Sequence, residues 1–195
     1  MDIRTEKRKL RSEMKRRRSD LDLASYRTWS GAIISSCKEL SEFKSASRIH
    51  CYVSSLDNEV ETPGLILSMI DFGKTVAVPV CVEGSRKLIS IAIRSLDELR
   101  PTHHGLMEPE CNSIHAVPSN VLDLVIAPLV AFDRNGNRLG MGGGYYDSFL
   151  AECTCPKVGL AYAFQELEQV PVEPHDMKLD IILTEREVIR LSHAR

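Results

Sequence analysis

The sequence predicts an α/β fold, a single layered domain with a central, largely parallel sheet flanked by helices. The first observation is that residues 2–18 and 22–40 carry apolar side chains at the three-to-four spacing of amphipathic helices. The second is that short apolar runs bounded by turn residues follow them, as expected of buried strands. Helices that alternate with buried strands are typical of layered domains with parallel sheets. A chain of 195 residues has the length of one such domain, 1–195.

Each element has its own signal along the chain. The second helix has an apolar face made of Leu23, Tyr26, Trp29, Ile33, Ile34 and Cys37. Strands are predicted at residues 48–54, 75–82, 88–93, 121–132, 157–164 and 180–184. Residues 61–72 have the length of a crossover helix closed by Gly73, and a last helix is predicted at 144–153. Residues 101–120 contain three prolines and are predicted to form an irregular loop.

Charge is unevenly distributed along the chain. There are 25 Lys and Arg against 27 Asp and Glu, a formal net charge of −2. Residues 1–18 hold nine basic and three acidic side chains, a local charge of +6, so the other 177 residues sum to −8. This balance excludes a uniformly basic nucleic-acid coat and an acidic disordered chain. A nucleic-acid binding module that uses the basic helix stays an alternative, and the acidic remainder of the chain argues against it.

The basic N-terminal helix has charged residues on its apolar face. At about 100° per residue, and with Ile3 at zero, the approximate angles are 340° for Leu10, 20° for Met14, 40° for Lys7 and 80° for Arg11. Lys7 therefore lies within the apolar face and Arg11 at its edge. A lysine there must be paired, must reach solvent with its ammonium, or must meet the phosphates of a ligand, and the pattern leaves these open. The other seven basic residues of this segment are expected on the solvated surface.

Glycine is concentrated between the predicted strand 121–132 and the helix 144–153. Five of the eleven glycines fall within nine residues, and they are Gly136, Gly140, Gly142, Gly143 and Gly144. Bare backbone N–H groups before a helix N-terminus suit an anion such as phosphate. The segment has neither the Gly-Lys-[Ser/Thr] of a Walker A loop nor the G-x-G-x-x-G pattern. It predicts a ligand that bears phosphate, and a flexible turn is the alternative.

Four candidate carboxylates lie close to the ends of predicted strands and helices. Asp147 in the first turn of the last helix complements the helix dipole, or it helps to hold magnesium on a substrate phosphate. Asp176, just before the last predicted strand, is a candidate second carboxylate. Glu59 and Glu61 follow the first strand, where ligands bind parallel sheets, and either one is equally suited to a helix cap.

Composition favours a protein of the cytoplasm. No run approaches the roughly 18 apolar residues of a membrane span, and the N-terminus lacks the apolar segment of a secretory signal. The six cysteines contain no C-x-x-C pair, so we expect thiols packed as small hydrophobes. We expect a monomer that binds small molecules, without a membrane or nucleic-acid partner.

The glycine-rich segment closely resembles the signature of the 5-formyltetrahydrofolate cyclo-ligase family, also called 5,10-methenyltetrahydrofolate synthetases. It reads Arg138-Leu-Gly-Met-Gly-Gly-Gly-Tyr-Tyr-Asp147 and follows Phe132-Asp-Arg-Asn-Gly-Asn137. The resemblance spans nearly the whole chain through segments in the same order and spacing, which are Lys7-Arg-Lys-Leu-Arg11, Glu59-Val-Glu-Thr62, Glu108-Pro109 and the stretch from Gln165 through Val170 to Asp180.

The resemblance implies an ATP- and magnesium-dependent ligase that converts 5-formyltetrahydrofolate to 5,10-methenyltetrahydrofolate and releases ADP and phosphate. It implies ATP contacts at Lys7, Arg11, Arg138, Gly140, Gly142, Gly143, Gly144, Tyr145 and Tyr146. It implies folate contacts at Leu56, Glu61, Met141 and Tyr145, and magnesium at Asp147 and Asp176. Met141 replaces a residue that is basic in some relatives, and Gly143 replaces a lysine of others. Phosphate charge would then rest more on Lys7, Arg11 and Arg138.

The chemistry of such a reaction explains why no catalytic side chain is predicted. When a formamide oxygen attacks the γ-phosphate, the phosphorylated product carries a good leaving group, and N10 of the folate can close the ring. The substrates supply both nucleophiles, while the protein positions them and Arg138 stabilises phosphate charge. An ATP site acting on another small formyl or carboxylate compound is the alternative enzyme hypothesis.

Overall fold

A computed structural model of the chain describes residues 2–82, 84–102, 105–111 and 113–191. Its helices are α1 (Ile3–Ser19), α2 (Leu23–Glu39), α3 (Ser41–Ser45), α4 (Pro63–Asp71) and α5 (Tyr145–Glu152). Its strands are β1 (Arg48–Cys51), β2 (Thr75–Cys81), β3 (Leu88–Ile93), β4 (Leu99–Pro101), β5 (Met107–Pro109), β6 (Leu124–Ala127), β7 (Ala131–Phe132), β8 (Arg138–Leu139), β9 (Lys157–Leu160), β10 (Ile181–Leu183) and β11 (Val188–Arg190). No helix within these ranges is long and apolar enough to cross a membrane.

Seven strands form the central sheet, in the order β11-β10-β9-β6-β1-β2-β3. The five inner strands run parallel to one another, and β3 and β11 pair antiparallel at the two edges. β6 is the central strand, and β1 lies beside it, where Ile49 pairs with Val76 of β2 on one side and Leu124 of β6 on the other. The predicted α/β fold with a largely parallel sheet is confirmed.

Helices cover both faces of the sheet. Because successive strand residues point to opposite sides, each strand contributes side chains to both layers. On β6, Leu124 joins the core formed with α2, α3 and α4, whereas Val125 joins the core formed with α5. α1 lies apart from these two layers. Its apolar residues Leu10 and Met14 pack with the β7–β8 hairpin and Val170 in a third, smaller core. α1 is thus attached to the hairpin that leads into the glycine-rich loop.

The prediction of one strand over 121–132 is wrong. β6 ends at Ala127, since the following Pro128 has no N–H to donate to a strand ladder. The chain then forms β7, which pairs antiparallel with β8 in a separate hairpin, with Phe132 opposite Arg138. This break leads the chain out of the sheet and into the glycine-rich loop.

Other predicted elements differ at their ends. The strand predicted at 48–54 ends at Cys51, and the one predicted at 157–164 ends at Leu160. The loop predicted at 101–120 contains β5, which pairs with β4, and residues 103, 104 and 112 of that loop lie outside the described residues. β11 has no sequence prediction because three residues are too short to show a period.

Gly159 of β9 lets two leucine side chains pack against the backbone. A Cβ at this position would lie 2.5 Å from Leu179 Cδ1 and 2.6 Å from Leu129 Cδ2. Both leucines are buried, so we expect Gly159→Ala to lower the free energy of unfolding by about 1–3 kcal/mol. Denaturant unfolding measures this change. Gly31 in α2 is the control, because nothing lies within 4 Å of a new Cβ there. Gly31→Ala should stabilise by about 0.5–1 kcal/mol, and similar destabilisation in both variants would contradict the packing explanation.

Candidate functional site

A cavity of about 470 Å³ opens at the carboxyl ends of β1, β2 and β6. This is the edge at which parallel sheets bind ligands, and the volume falls within the roughly 300–1,000 Å³ of small-molecule sites. α1 and the glycine-rich loop form its other walls. Cations and carboxylates are balanced in its lining, which contains Arg4, Lys7, Arg11, Arg86 and Arg138 together with Glu59, Glu108, Asp147, Glu173 and Asp176.

The glycine-rich loop requires glycine at two positions. Gly142 has a φ of 103° and Gly144, which precedes α5, has a φ of 74°, values that other residues rarely adopt. A Cβ at Gly142 would also lie 3.2 Å from Arg11 Cζ, so the guanidinium packs on bare backbone. Arg11 Nε donates a hydrogen bond of 2.7 Å to Gly140 O. α1 and the loop therefore form one continuous wall.

Arg138 is a buried cation at the base of this loop. The residue is 5% exposed, and its Nη2 donates a hydrogen bond of 2.7 Å to Asp147 Oδ1. Burial lowers the pKa of Arg138 and Asp147 opposes that shift, so the guanidinium stays charged. The Nε of Arg138 has no hydrogen-bond partner among the described residues. Arg138 thus keeps an unused donor beside the cavity.

Asp147 does more than complement the dipole of α5. Its Oδ1 accepts hydrogen bonds from Arg138 and, at 3.1 Å, from the backbone N–H of Met177. Its Oδ2 has no hydrogen-bond partner in the described part of the chain. The carboxylate therefore joins α5 to the segment before β10 and leaves one oxygen for a further cation.

Lys7 is buried and paired with two carboxylates. Its Nζ donates hydrogen bonds of 2.5 Å to Asp176 Oδ2 and 2.9 Å to Glu173 Oε2. Burial alone would lower the pKa of Lys7, but the two carboxylates outweigh burial and raise it. Lys7 is the chief cause of the lowered pKa of Glu173. Burial acts to raise the pKa of Asp176, but Lys7 outweighs burial, so the pKa of Asp176 is lowered as well. The structure thus resolves the lysine on the apolar face of α1 as an ion pair.

Lys7→Met is expected to destabilise the protein at pH 7 and to lose that effect progressively as the pH falls below about 4. The variant leaves Asp176 and Glu173 unpaired, which should lower Tm by about 5 °C. Because both pKa values are lowered in the fold, the stabilisation is present above the unfolded values of roughly 4 and is lost as the pH falls through the lower folded values. Thermal unfolding from pH 7 to pH 3 measures the difference.

The matched control is Lys44→Met, which removes an exposed pair with Glu39 of 2.6 Å. Exposed pairs contribute little, so this variant should change Tm only slightly at any pH. A Tm difference for Lys7→Met that stayed constant with pH would show that lost packing, rather than the ion pair, causes it.

Three metal-capable side chains gather beside Lys7. The ligand atoms of Glu173, His175 and Asp176 lie within 4.8 Å of one another. Asp147 lies outside this group. Burial lowers the pKa of Arg11, and the nearby charges of Asp147 and Asp176 both partly offset that effect by raising it. Asp176 Oδ1, like Asp147 Oδ2, has no hydrogen-bond partner within the described ranges. Carboxylate oxygens are the ligands that magnesium prefers, so this donor set fits that ion.

Tyr145 and Tyr146 begin α5, and both line the cavity. The Tyr146 hydroxyl lies 3.0 Å from His50 Nε2, and His50 Nδ1 lies 2.7 Å from Ser90 Oγ. Burial lowers the pKa of His50 to about 3, so the imidazole is neutral. The hydroxyl of Tyr146 is therefore engaged in the core, which leaves its ring as the surface toward the cavity.

Two of the four predicted folate contacts line the cavity, Met141 and Tyr145, whereas Leu56 and Glu61 do not. Glu61 is exposed, and its backbone N–H donates to Ser30 Oγ at 3.3 Å. Leu56 O accepts a hydrogen bond of 3.1 Å from the backbone N–H of Glu59, so Leu56 adjoins the wall without lining it. The contacts of Leu56 and Glu61 with folate stay predictions.

Val53 and Glu59 form the cavity wall in this part of the chain. The chain turns between them at Asp57 and Asn58, whose φ angles of 48° and 51° lie in the left-handed region. This turn brings Glu59 to the wall, where it is 7% exposed. Sequence alone offered Glu59 and Glu61 as alternatives, because no regular period runs through such a turn to choose between them.

The expectation that the other seven basic residues of α1 face solvent is wrong for Arg18. Arg18 is 1% exposed. Arg8, Lys9 and Arg16 are exposed as expected. The apolar face of α1 therefore contains two buried cations, Lys7 and Arg18, at its two ends.

The chain is similar in sequence and structure to proteins of one family. A profile of the 5-formyltetrahydrofolate cyclo-ligase family matches residues 3–185. The 5-formyltetrahydrofolate cyclo-ligase of Haemophilus influenzae is 35% identical over 92% of this chain and 98% of its own length, and that of Mus musculus is 30% identical over 94% and 95%. The solved structure of Aquifex aeolicus 5,10-methenyltetrahydrofolate synthetase matches with a TM-score of 0.83 at 32% identity, covering 97% of this chain and 94% of that one.

Proposed function

The chain belongs to the 5-formyltetrahydrofolate cyclo-ligase family, and on that premise we propose that its cavity converts 5-formyltetrahydrofolate to 5,10-methenyltetrahydrofolate, using magnesium and ATP and releasing ADP and phosphate. One observation carries the proposal. A single cavity joins the glycine-rich loop, the cations Lys7, Arg11 and Arg138, and two carboxylates, Asp147 and Asp176, that each have one oxygen without a hydrogen-bond partner among the described residues. Bare backbone N–H groups and cations suit phosphate oxygens, and the carboxylates suit magnesium.

ATP is assigned to the wall formed by α1 and the glycine-rich loop. Residues 140–144 would bind phosphate oxygens through their backbone, with the rings of Tyr145 and Tyr146 beside them. Arg11 already packs on this loop, and Arg138 holds an unused donor at its base. Lys7 would exchange its carboxylate partners for phosphate oxygens, an exchange that suits the compact charge of an ammonium.

Magnesium is assigned to Asp147 and Asp176. Each would use the carboxylate oxygen that has no hydrogen-bond partner in the described part of the chain. When bound, the ion neutralises phosphate charge and orients the triphosphate. Glu173 and His175 lie next to Asp176 and are available to the waters that magnesium usually keeps.

Folate is assigned to the part of the cavity lined by Met141, Tyr145, Val53 and Glu59. A carboxylate in a largely buried wall is suited to the N–H donors of a pterin ring. The resemblance gave this position to Glu61, and the lining of the cavity favours Glu59.

The reaction needs two nucleophiles, and the substrates supply both. The formyl oxygen attacks the γ-phosphorus, the bond to the bridging oxygen breaks, and ADP leaves. N10 then adds to the activated formyl carbon and loses its proton, the bond from that carbon to the phosphate oxygen breaks, and the methenyl bridge forms. The protein positions the two substrates, and its Arg11 and Arg138 stabilise the negative charge that spreads over the transferred phosphoryl group. No side chain is assigned a covalent or general-base role.

Methenyl product formation tests the proposal. Purified protein is mixed with magnesium, ATP and 5-formyltetrahydrofolate, and the near-ultraviolet absorbance of the product is followed. We expect turnover that stops when ATP is replaced by a β,γ-imido analogue or when magnesium is chelated. A folded protein without turnover would refute the assigned substrate, and ADP release with another formyl or carboxylate compound would support the alternative.

We further propose that residues 1–195 form one domain and that the protein is a monomer of the cytoplasm. Size-exclusion chromatography with light scattering checks the oligomeric state, and cell fractionation checks the location.

A further inference from the structure

Arg18 is a buried arginine with few hydrogen bonds. It is 1% exposed, and its Nη1 donates one long hydrogen bond of 3.4 Å to Leu129 O. Its Nε and Nη2 have no hydrogen-bond partner among the described residues. Arginine is almost never fully buried without a charged partner, because an uncompensated charge in the interior is costly. The burial of Arg18 therefore depends on nearby carboxylates.

Two carboxylates face Arg18. Its Nη1 lies 3.9 Å from Glu59 Oε1, and its Nη2 lies 3.9 Å from Asp57 Oδ2. Asp57 has a closer cation, since Lys15 Nζ lies 3.1 Å from the same oxygen. Within the described ranges, Arg18 is the one cation at ion-pair distance from Glu59. Arg18 thus compensates chiefly Glu59, and Lys15 compensates Asp57.

Four other ionisable groups that interact electrostatically with Glu59 are neutral or negative. They come from α2, from the end of β1, from the turn after it and from α5, and they are Tyr26, Tyr52, Asp57 and Tyr146. Burial raises the pKa of each of these three tyrosines, so none of them carries charge near pH 7. None of these four groups stabilises the carboxylate form of Glu59, which is favoured by Arg18 and by backbone hydrogen bonds at Ser55 and Leu56.

Glu59 itself sits between opposing influences. Burial raises its pKa, and the charge of Arg18 opposes that rise. Its Oε2 accepts a hydrogen bond of 3.2 Å from the backbone N–H of Ser55. That bond holds one oxygen on the turn, while the other oxygen faces Arg18 at 3.9 Å and the side chain lines the cavity.

We propose that Arg18 is a positioning residue, which keeps Glu59 ionised and holds its carboxylate in the cavity wall for recognition of the folate. Arg18 does not line the cavity, so it acts through its neighbours, of which Glu59 is the charged residue in the lining. The inference rests on the proposed function, because the folate is the ligand that Glu59 would contact. A protonated Glu59 would present a donor to the N–H donors of a pterin. Loss of Arg18 should therefore weaken folate recognition and leave ATP recognition intact.

Kinetics of Arg18→Met test this role. We expect the acid limb of the kcat/KM profile to move up by about one pH unit, so that on this limb KM for 5-formyltetrahydrofolate rises by up to about tenfold. KM for ATP should stay within about twofold. Arg18→Lys keeps the charge and should restore part of the loss. In a Glu59→Gln background, Arg18→Met should have no further effect on KM, because the carboxylate through which it acts is gone.

Arg17→Met is the matched control. Arg17 precedes Arg18 on α1, and its guanidinium lies 5.0 Å from the ring centre of Phe164 rather than beside Glu59. This variant removes the same charge and should leave both KM values and the pH profile unchanged. Equal rises of the two KM values in Arg18→Met, or a lower Tm with an unchanged pH profile, would overturn the inference.

Carbon-13 NMR of the glutamate carboxyl groups tests the same inference without turnover. The signal lost in Glu59→Gln identifies Glu59. Its titration midpoint should move up by about one pH unit in Arg18→Met and stay in place in Arg17→Met. An unmoved midpoint overturns the role of Arg18 even if the enzyme is active. A moved midpoint in a protein that does not turn over 5-formyltetrahydrofolate would support the effect on Glu59 and refute the proposed function.

Discussion

Arg138→Ala is expected to lower kcat/KM for ATP by about 10²–10³-fold, a loss typical of removing one preorganised donor from a site that excludes water. Arg138 is 5% exposed, is charged, and holds an unused Nε donor beside the glycine-rich loop. Charge that spreads over the transferred phosphoryl group would meet this cation. KM for ATP should rise more than KM for 5-formyltetrahydrofolate. Steady-state kinetics with each substrate varied in turn measure the two constants.

Arg134→Ala is the matched control for this prediction. Arg134 precedes Arg138 by four residues and forms exposed ion pairs with Glu166 and Glu187. Its removal should change either kinetic constant by less than about twofold, because exposed pairs contribute little. Arg138→Lys keeps the charge without the planar fork and should recover part of the activity. Equal losses toward both substrates would contradict the assignment of Arg138 to ATP.

Asp147→Asn is expected to raise the magnesium concentration for half-maximal activity by at least about tenfold. The substitution keeps the size of the side chain and an oxygen, but it removes the negative charge that attracts a cation. The change also weakens the partner of Arg138, whose Nη2 donates to Asp147 Oδ1 at 2.7 Å. Activity is measured at saturating ATP, well below Tm, while the magnesium concentration is varied.

The control for Asp147 is Asp123→Asn. Asp123 accepts backbone N–H bonds from Ser47 and Arg48 at 3.0 Å and 2.8 Å, and it does not line the cavity. This variant should affect stability and leave the magnesium requirement unchanged. If Asp147→Asn only lowers Tm, then the carboxylate serves the helix dipole and Arg138, and its assignment to magnesium is wrong.

The layers of the fold could be predicted because α1 and α2 show a helical period and the inner strands are short apolar runs bounded by turn residues. The angular placement of Lys7 on the apolar face of α1 also anticipated a buried cation. The same rotation puts Arg18 at about 60°, inside that face. The burial of Arg18 could therefore have been predicted from its position on the helix. Treating it only as one of many basic residues in this segment led to the wrong expectation of exposure.

Contacts between distant segments could not be predicted from spacing. Lys7 meets Asp176, which lies 169 residues further along the chain, and nothing in either segment specifies the other. Glu173 and His175 join them only because the chain folds back before β10. The selection of Glu59 over Glu61 depends on the left-handed turn at Asp57, whose conformation is not a periodic feature.

The small separate core of α1 has a consequence for binding thermodynamics. On the proposed function, Lys7 and Arg11 would reach the nucleotide only while α1 is docked on the β7–β8 hairpin, through Leu10 and Met14. A helix held by a satellite core can detach at a free energy below that of global unfolding. ATP that binds only the docked form stabilises it by RT ln(1 + [L]/Kd). Under the proposed function, affinity for ATP and the docking of α1 would therefore be linked, and ATP would stabilise the helix that forms one wall of its own site.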